Sequence, residues 1–202
     1  AQMAPTMKMP DVGFRCAADR VAHHPVTPLV TFTGPNLSAW SSGKANDPVT
    51  WSHQHGLVTV ESNDKAVETL RWIRAGFEGD GHRVLTMRVF PEVKPHGSIA
   101  LLYGVQDARN HYRAELYPAN GVARLIRVLD GVEGVIAEAS GLTLPNRGWL
   151  SLHIRWGEGR HRLSHSALNL VQGEDKTWRS GGVGMRLMGQ GKATFEAAFA
   201  TP

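Results

Sequence analysis

The strongest constraint on this chain is a two-residue rhythm that recurs in segment after segment and almost never gives way to a helical one. Between Trp149 and Trp156, Leu150, Leu152, Ile154 and Trp156 alternate with Ser151, His153 and Arg155. Successive side chains of a strand point to opposite faces, so this spacing predicts a strand with one apolar and one polar face. Val84 to Phe90 repeats the pattern, setting Leu85, Met87 and Val89 against Thr86 and Arg88. Ala193 to Phe199 does the same, with Phe195, Ala197 and Phe199 against Thr194 and Glu196. In mid-chain Tyr112, Ala114 and Leu116 oppose His111, Arg113, Glu115 and Tyr117, and there the polar face mixes rings with charges.

Asn120-Gly121, Asp130-Gly131, Gly157 to Gly159, Gly181-Gly182 and Gly189 to Gly191 stand between such segments. These residues tolerate positive φ and close hairpins. Short strands joined by tight turns predict an all-β domain, a two-sheet antiparallel β-sandwich with its apolar sides inward. At 202 residues the chain is long enough for one such core. The net charge of +4 would suit a polyanion, but the basic residues are spread along the chain, which argues against nucleic acid as a partner. No apolar run reaches the ~20 residues that cross a bilayer, so no membrane span is expected. The single cysteine, Cys16, excludes an internal disulfide and a cysteine-based zinc or redox pair. An opening at Ala1-Gln2 fits a processed chain or a piece of a longer one.

Two resemblances sharpen this reading. Pro10 to Ala17, PDVGFRCA, resembles the closing segment of the formylglycine-generating enzyme (sulfatase-modifying factor) family. It implies that residues 1–25 are the C-terminal tail of such a domain plus a linker, that this domain is a partner within the parent chain, and that none of its catalytic cysteines is carried over. From about Leu29 to Ala200 the layout is similar to concanavalin A-like jelly-roll domains grouped with the 3-keto-disaccharide hydrolase and laminin-G-like lectin families. The residues that carry it are Phe32 with Leu37 to Trp40, Trp51 with Gly56-Leu57, Asn110-His111-Tyr112, Gly148-Trp149 leading to Leu152 and Ile154, and Gly182-Val183-Gly184 leading to Phe195. That resemblance implies a jelly roll over 26–202 and, by analogy with such sandwiches, an extracytoplasmic setting.

Carbohydrate recognition needs flat rings that stack on sugar faces beside charged groups that satisfy hydroxyls. Arg88, Tyr103, His111, Arg113, Glu115, Tyr117 and Trp178 supply both, and are the expected ligand-binding set on the polar face of the sandwich. The competing reading is an ordinary solvated face whose Arg113 and Glu115 pair across strands. His53 and His55, two apart, would share one side of a strand and offer two imidazoles to copper or zinc; a third ligand would have to come from elsewhere. No other cofactor is expected.

Retaining glycosidases need two carboxylates about 5–5.5 Å apart, and no acidic pair stands two residues apart on a convincing strand. Neither a Gly-x-Ser-x-Gly elbow nor a phosphate-binding glycine loop occurs. The expectation is therefore a non-catalytic accessory domain that binds carbohydrate or a glycosylated surface. The alternatives are a glycoside hydrolase or lyase acting on (3-keto-)disaccharides, and a structural or protein-docking module.

Overall fold

The computed structural model describes residues 40–43, 49–73 and 81–196, together with the backbone of 199–201. Among these residues there are strands and turns and no helix. In chain order the strands are β1 (Ser41–Ser42), β2 (Thr50–Gln54), β3 (Leu57–Ser62), β4 (Glu68–Ile73), β5 (Arg83–Val93), β6 (Ser98–Asp107), β7 (Asn110–Tyr117), β8 (Val122–Leu129), β9 (Val132–Ala139), β10 (Leu150–Gly157), β11 (Arg160–His165), β12 (Leu168–Glu174), β13 (Gly182–Met188), β14 (Gly191–Glu196) and β15 (Phe199–Thr201). They form two antiparallel sheets. The front sheet runs β1-β4-β13-β6-β7-β8-β9; the back sheet runs β12-β11-β10-β5-β14-β3-β2, with β15 also paired to β5.

The alternation read from the sequence decides which sides meet. Leu85, Met87 and Val89 of β5, Leu150, Leu152, Ile154 and Trp156 of β10 and Ala193 with Phe195 of β14 close from the back onto Ile99, Leu101 and Tyr103 of β6, Tyr112, Ala114 and Leu116 of β7, and Met185 and Leu187 of β13. All are buried in one continuous core, which is what a sandwich of half-buried strands requires. β6 to β9 and β10 to β12 are simple meanders of the kind the turn residues predict, and β2 and β3 form a hairpin. Between these the chain crosses from sheet to sheet, from β1 to β2, β3 to β4, β4 to β5, β5 to β6, β9 to β10, β12 to β13 and β13 to β14.

One register differs from the expected alternation. Phe195 pairs with Val89 and Phe199 with Thr86, four residues against three, so an extra residue enters between β14 and β15 and the backbone phase slips by one. Gly184 answers a close approach: a Cβ there would lie 2.2 Å from the Arg71 carbonyl and 2.8 Å from Cβ of Trp72. Trp72 thus lies over β13 on the outward side, in a satellite cluster with Leu70, Leu102 and Val105. The segments resembling the formylglycine-generating enzyme tail, with Cys16, and the Phe32 and Leu37 positions lie outside the described residues.

Candidate functional site

The outward face of the front sheet holds more buried charge than any other part of the described molecule. On β7, Tyr112, Ala114 and Leu116 face the core, so His111, Arg113 and Glu115 must face away from it. Yet their residual exposures are 2%, 2% and 1%, and that of Arg186 on β13 is 1%. The four are sealed by one another and by neighbouring strands. Arg186 donates to Glu115 at 2.6 Å and to Glu68 at 2.8 Å, and Ser98 donates to the same Glu115 oxygen at 2.5 Å. Arg113 reaches Glu133 at 2.7 Å and stands 3.5 Å from both Glu68 and Glu115.

Glu68 and Glu133 come from opposite sides of the sheet, β4 and β9, and their side chains are 40% and 54% exposed. Two carboxylates therefore rise to solvent from a floor of fixed guanidiniums. They flank a cleft of about 200 Å³ whose walls include Leu70, Arg109, His111 and Arg113. Arg109 is itself held, donating to the Asp130 carbonyl at 2.6 Å. Satisfaction below is incomplete: Arg113 Nε, Glu115 Oε2 and both ring nitrogens of His111 are buried without a hydrogen bond of good geometry.

Protonation follows from this packing. Burial, and then the Arg113 guanidinium, push the His111 pKa down to about 4, so it is neutral near pH 7. Burial alone would raise Glu115, but Arg186 and Arg113 outweigh it and hold its carboxyl below the ordinary value. The linkage sign is the same for both groups. An unfolded His111 takes a proton near pH 6.5 while the folded one resists until about 4, so stability falls as pH drops through that window, by up to about 3 kcal/mol. Glu115 adds to the loss as pH falls below the usual carboxylate range. Urea unfolding at pH 7, 5.5 and 4.5 should show this decline, and His111→Gln should remove the component between pH 6.5 and 4.

The expected ligand-binding residues separate into four places. His111, Arg113, Glu115 and Tyr117 share the front face, although Tyr117 is half-buried against Arg124, 5.2 Å from its ring centroid, beyond the ion network. Tyr103 corrects the expectation: it pairs with Tyr112, faces the core and stacks on that ring at 5.3 Å, so no ligand reaches it. Arg88 lies outward on the back sheet, bound to Glu196 at 2.7 Å and 4.7 Å from the Trp149 ring. Trp149 is the exposed tryptophan, at 38%, with Phe90 edge-on beside it. Trp178 is half-buried at one end of the sandwich, edge-on to Tyr112 at 4.9 Å.

Trp178 lines an end cleft of about 360 Å³ with Arg83, Trp156, His161, Asp175 and Arg179. Its acid is already occupied. Asp175 accepts from Tyr112 Oη at 2.6 Å, Thr177 N at 2.9 Å and Arg127 Nη1 at 3.1 Å, and its carboxyl is held below the ordinary value against the effect of burial. That arrangement clasps the β12–β13 connection. The two histidines do not share a strand side: His53 pairs with Val58 on β2, while His55 takes φ +51° in the turn with Gly56. Among the described residues no group of three or more His, Cys, Asp and Glu is placed to hold a metal ion.

Glu68, Glu133, Arg109 and Arg186 escape sequence reasoning because they are brought together from distant strands. A signal for one of them exists: Arg186 stands between Met185 and Leu187 in an otherwise apolar strand, where a lone charge asks for a buried partner.

No protein-family model matches the chain, and no curated protein matches it by sequence. Solved structures do. The carbohydrate-binding module CBM66 from Bacillus subtilis is 15% identical with a TM-score of 0.66, over 83% of this chain and 98% of that one. A prokaryotic β-1,3-1,4-glucanase (lichenase) derived from a mouse hindgut metagenome is 9% identical with a TM-score of 0.62, over 86% and 97%. The carbohydrate recognition domain of Emp46p, in a potassium-bound form, is 11% identical with a TM-score of 0.61, over 87% and 94%. At these identities the likeness is one of fold, and the fold is the jelly roll of concanavalin A-like and galectin-like domains.

Proposed function

We propose that this chain is a non-catalytic carbohydrate-binding domain whose site is the front-sheet cleft between Glu68 and Glu133, with an extracytoplasmic setting. The observation that carries the reading is the pair of exposed carboxylates locked from beneath by Arg113 and Arg186. Burying guanidiniums this deeply is poor value for stability alone, since a packed apolar set serves as well. It does fix the acceptor oxygens in advance, and a preorganised carboxylate accepts hydroxyl donors at lower entropic cost. Leu70 and Val128 offer apolar surface to the C–H face of a ring. At about 200 Å³ the cleft is smaller than those that hold drug-sized ligands, roughly 300–1,000 Å³, which suits about one sugar residue. Aromatic stacking contributes little there, because Trp72 is buried over Gly184 and Tyr117 stands apart.

Titration calorimetry with a panel of neutral mono- and oligosaccharides tests this. Glu133→Gln should weaken saturable binding at least tenfold, about 1.4 kcal/mol, in a chain shown by urea unfolding to be still folded under the titration conditions, because Arg113 loses its 2.7 Å carboxylate partner and some stability with it. No saturable binding to any sugar would retire the proposal.

A hydrolase on the same cleft is favoured by the convergence of Glu68, Glu115 and Glu133 on one guanidinium, and by the lichenase among the similar folds. Against it, a general acid needs a raised pKa, and Glu115 is held in the opposite direction. Turnover of a glycoside or 3-keto-glycoside that is lost in Glu133→Gln would decide for the enzyme.

A further inference from the structure

We propose that the outward face of β10 and β11, on the back sheet, is a separate binding site for an acidic polysaccharide, one bearing carboxylate or sulfate groups. Arg155 and Arg162 are direct cross-strand partners, and Arg160 lies two residues from Arg162 on the same face. All three are exposed. Like charges directly opposite each other destabilise a sheet unless something neutralises them. Among the described residues no ion pair closes on any of the three: Glu174, directly across from Arg160, offsets part of its charge without reaching ion-pair distance, the facing Arg155 and Arg162 have no acid opposite them, and Arg162 has a hydrogen bond from Nε to Asn169 at 3.1 Å. Elsewhere in the described molecule Arg88, Arg113, Arg124, Arg127 and Arg186 all have carboxylate partners within 3.5 Å.

The arginines are also set in a receptive shape. Together with His82, Gln172 and Glu174 they line a cleft of about 400 Å³. Gly157, on the same face between Arg155 and the hairpin tip, contributes no side chain, and a Cβ there would meet His82 Cα at 2.9 Å. Cβ atoms on one sheet face stand roughly 5 Å apart across strands and roughly 6.7 Å apart at every second residue along them, so the three arginines root in one short row. A polymer with an anion on each residue meets such a row repeatedly, and the guanidinium fork pairs carboxylate or sulfate through two parallel hydrogen bonds. Gln172 and Asn169 extend the row with neutral groups that suit hydroxyls. A single-stranded nucleic acid would want aromatic platforms for its bases, and no aromatic residue other than the histidines lines this cleft.

The site is independent of the front-sheet cleft, and the test keeps the two apart. The full chain is titrated with oligogalacturonate, dextran sulfate, unsubstituted dextran and a single-stranded oligonucleotide at low and moderate salt. The expected result is saturable binding of oligogalacturonate or dextran sulfate, the stronger of the two naming the anion, with unsubstituted dextran silent at this face. Arg155→Gln with Arg162→Gln should weaken that binding at least tenfold, and Arg160→Gln alone several-fold. The charge-matched Lys65→Gln with Lys94→Gln, and Glu133→Gln, should leave it unchanged. Absence of binding to both acidic polymers, equal loss in the lysine control, or tighter arginine-dependent binding of the oligonucleotide would each overturn the proposal.

Discussion

Arg186→Ala is expected to lower the unfolding free energy by about 3–5 kcal/mol, the range for breaking a buried ion pair from one side. The reason is what it leaves behind. Glu115 is 1% exposed and loses its 2.6 Å partner, retaining Ser98 and a more distant Arg113 at 3.5 Å. A carboxylate so placed must either stay ionised without adequate compensation or take up a proton, and both routes cost free energy at pH 7. Replacing both members, Arg186→Met with Glu115→Leu, removes the orphaned charge and leaves only the neutral, buried Ser98 hydroxyl without its acceptor. Arg113 keeps Glu133 at 2.7 Å, so the double variant should recover most of the loss. Urea unfolding of the single and double variants checks this. A single variant within about 1 kcal/mol of the parent would mean that water reaches Glu115 and that the network is not sealed.

Phe195→Ala is expected to cost a comparable amount, about 3–5 kcal/mol. Phe195 is fully buried on β14, which sits between β5 and β3 in the middle of the back sheet. Its ring is hemmed in by strands on both sides, so the space left behind cannot collapse easily or fill with water. Trp149, a larger apolar side chain by composition, is the contrast. It is 38% exposed against Arg88 and Phe90, and its truncation should cost well under half as much. Thermal or urea unfolding of the two variants ranks them directly.

The fold was legible because alternation is a local property. Leu150, Leu152, Ile154 and Trp156 announce their common face within eight residues, and the structure buries all four. The crossings between sheets were not legible, since the same alternation serves either sheet. Neither was the slip before Phe199, because one extra residue leaves no mark on composition. For the candidate site, half of the information was local. The shared face of His111, Arg113, Glu115 and Tyr117 follows from spacing on β7; its burial does not, because that depends on Glu68, Arg186 and Glu133 arriving from β4, β13 and β9. Tyr103 was misassigned for a related reason. The strand SIALLYGVQD is buried on both faces through most of its length, so it carries no polar phase to show which side its tyrosine takes. Basic residues that look scattered, Arg155, Arg160 and Arg162, become one patch only when β10 folds back on β11.

The most direct test of the central claim is to map, residue by residue, where a saccharide lands. Backbone amide shifts of the full chain, recorded while a neutral oligosaccharide is added to saturation, should move at Glu68, Leu70, Arg109, His111, Arg113 and Glu133 and stay still around Trp178 and Asp175. Shifts confined to the end cleft or the back sheet, or none at any concentration of any sugar, would contradict the account.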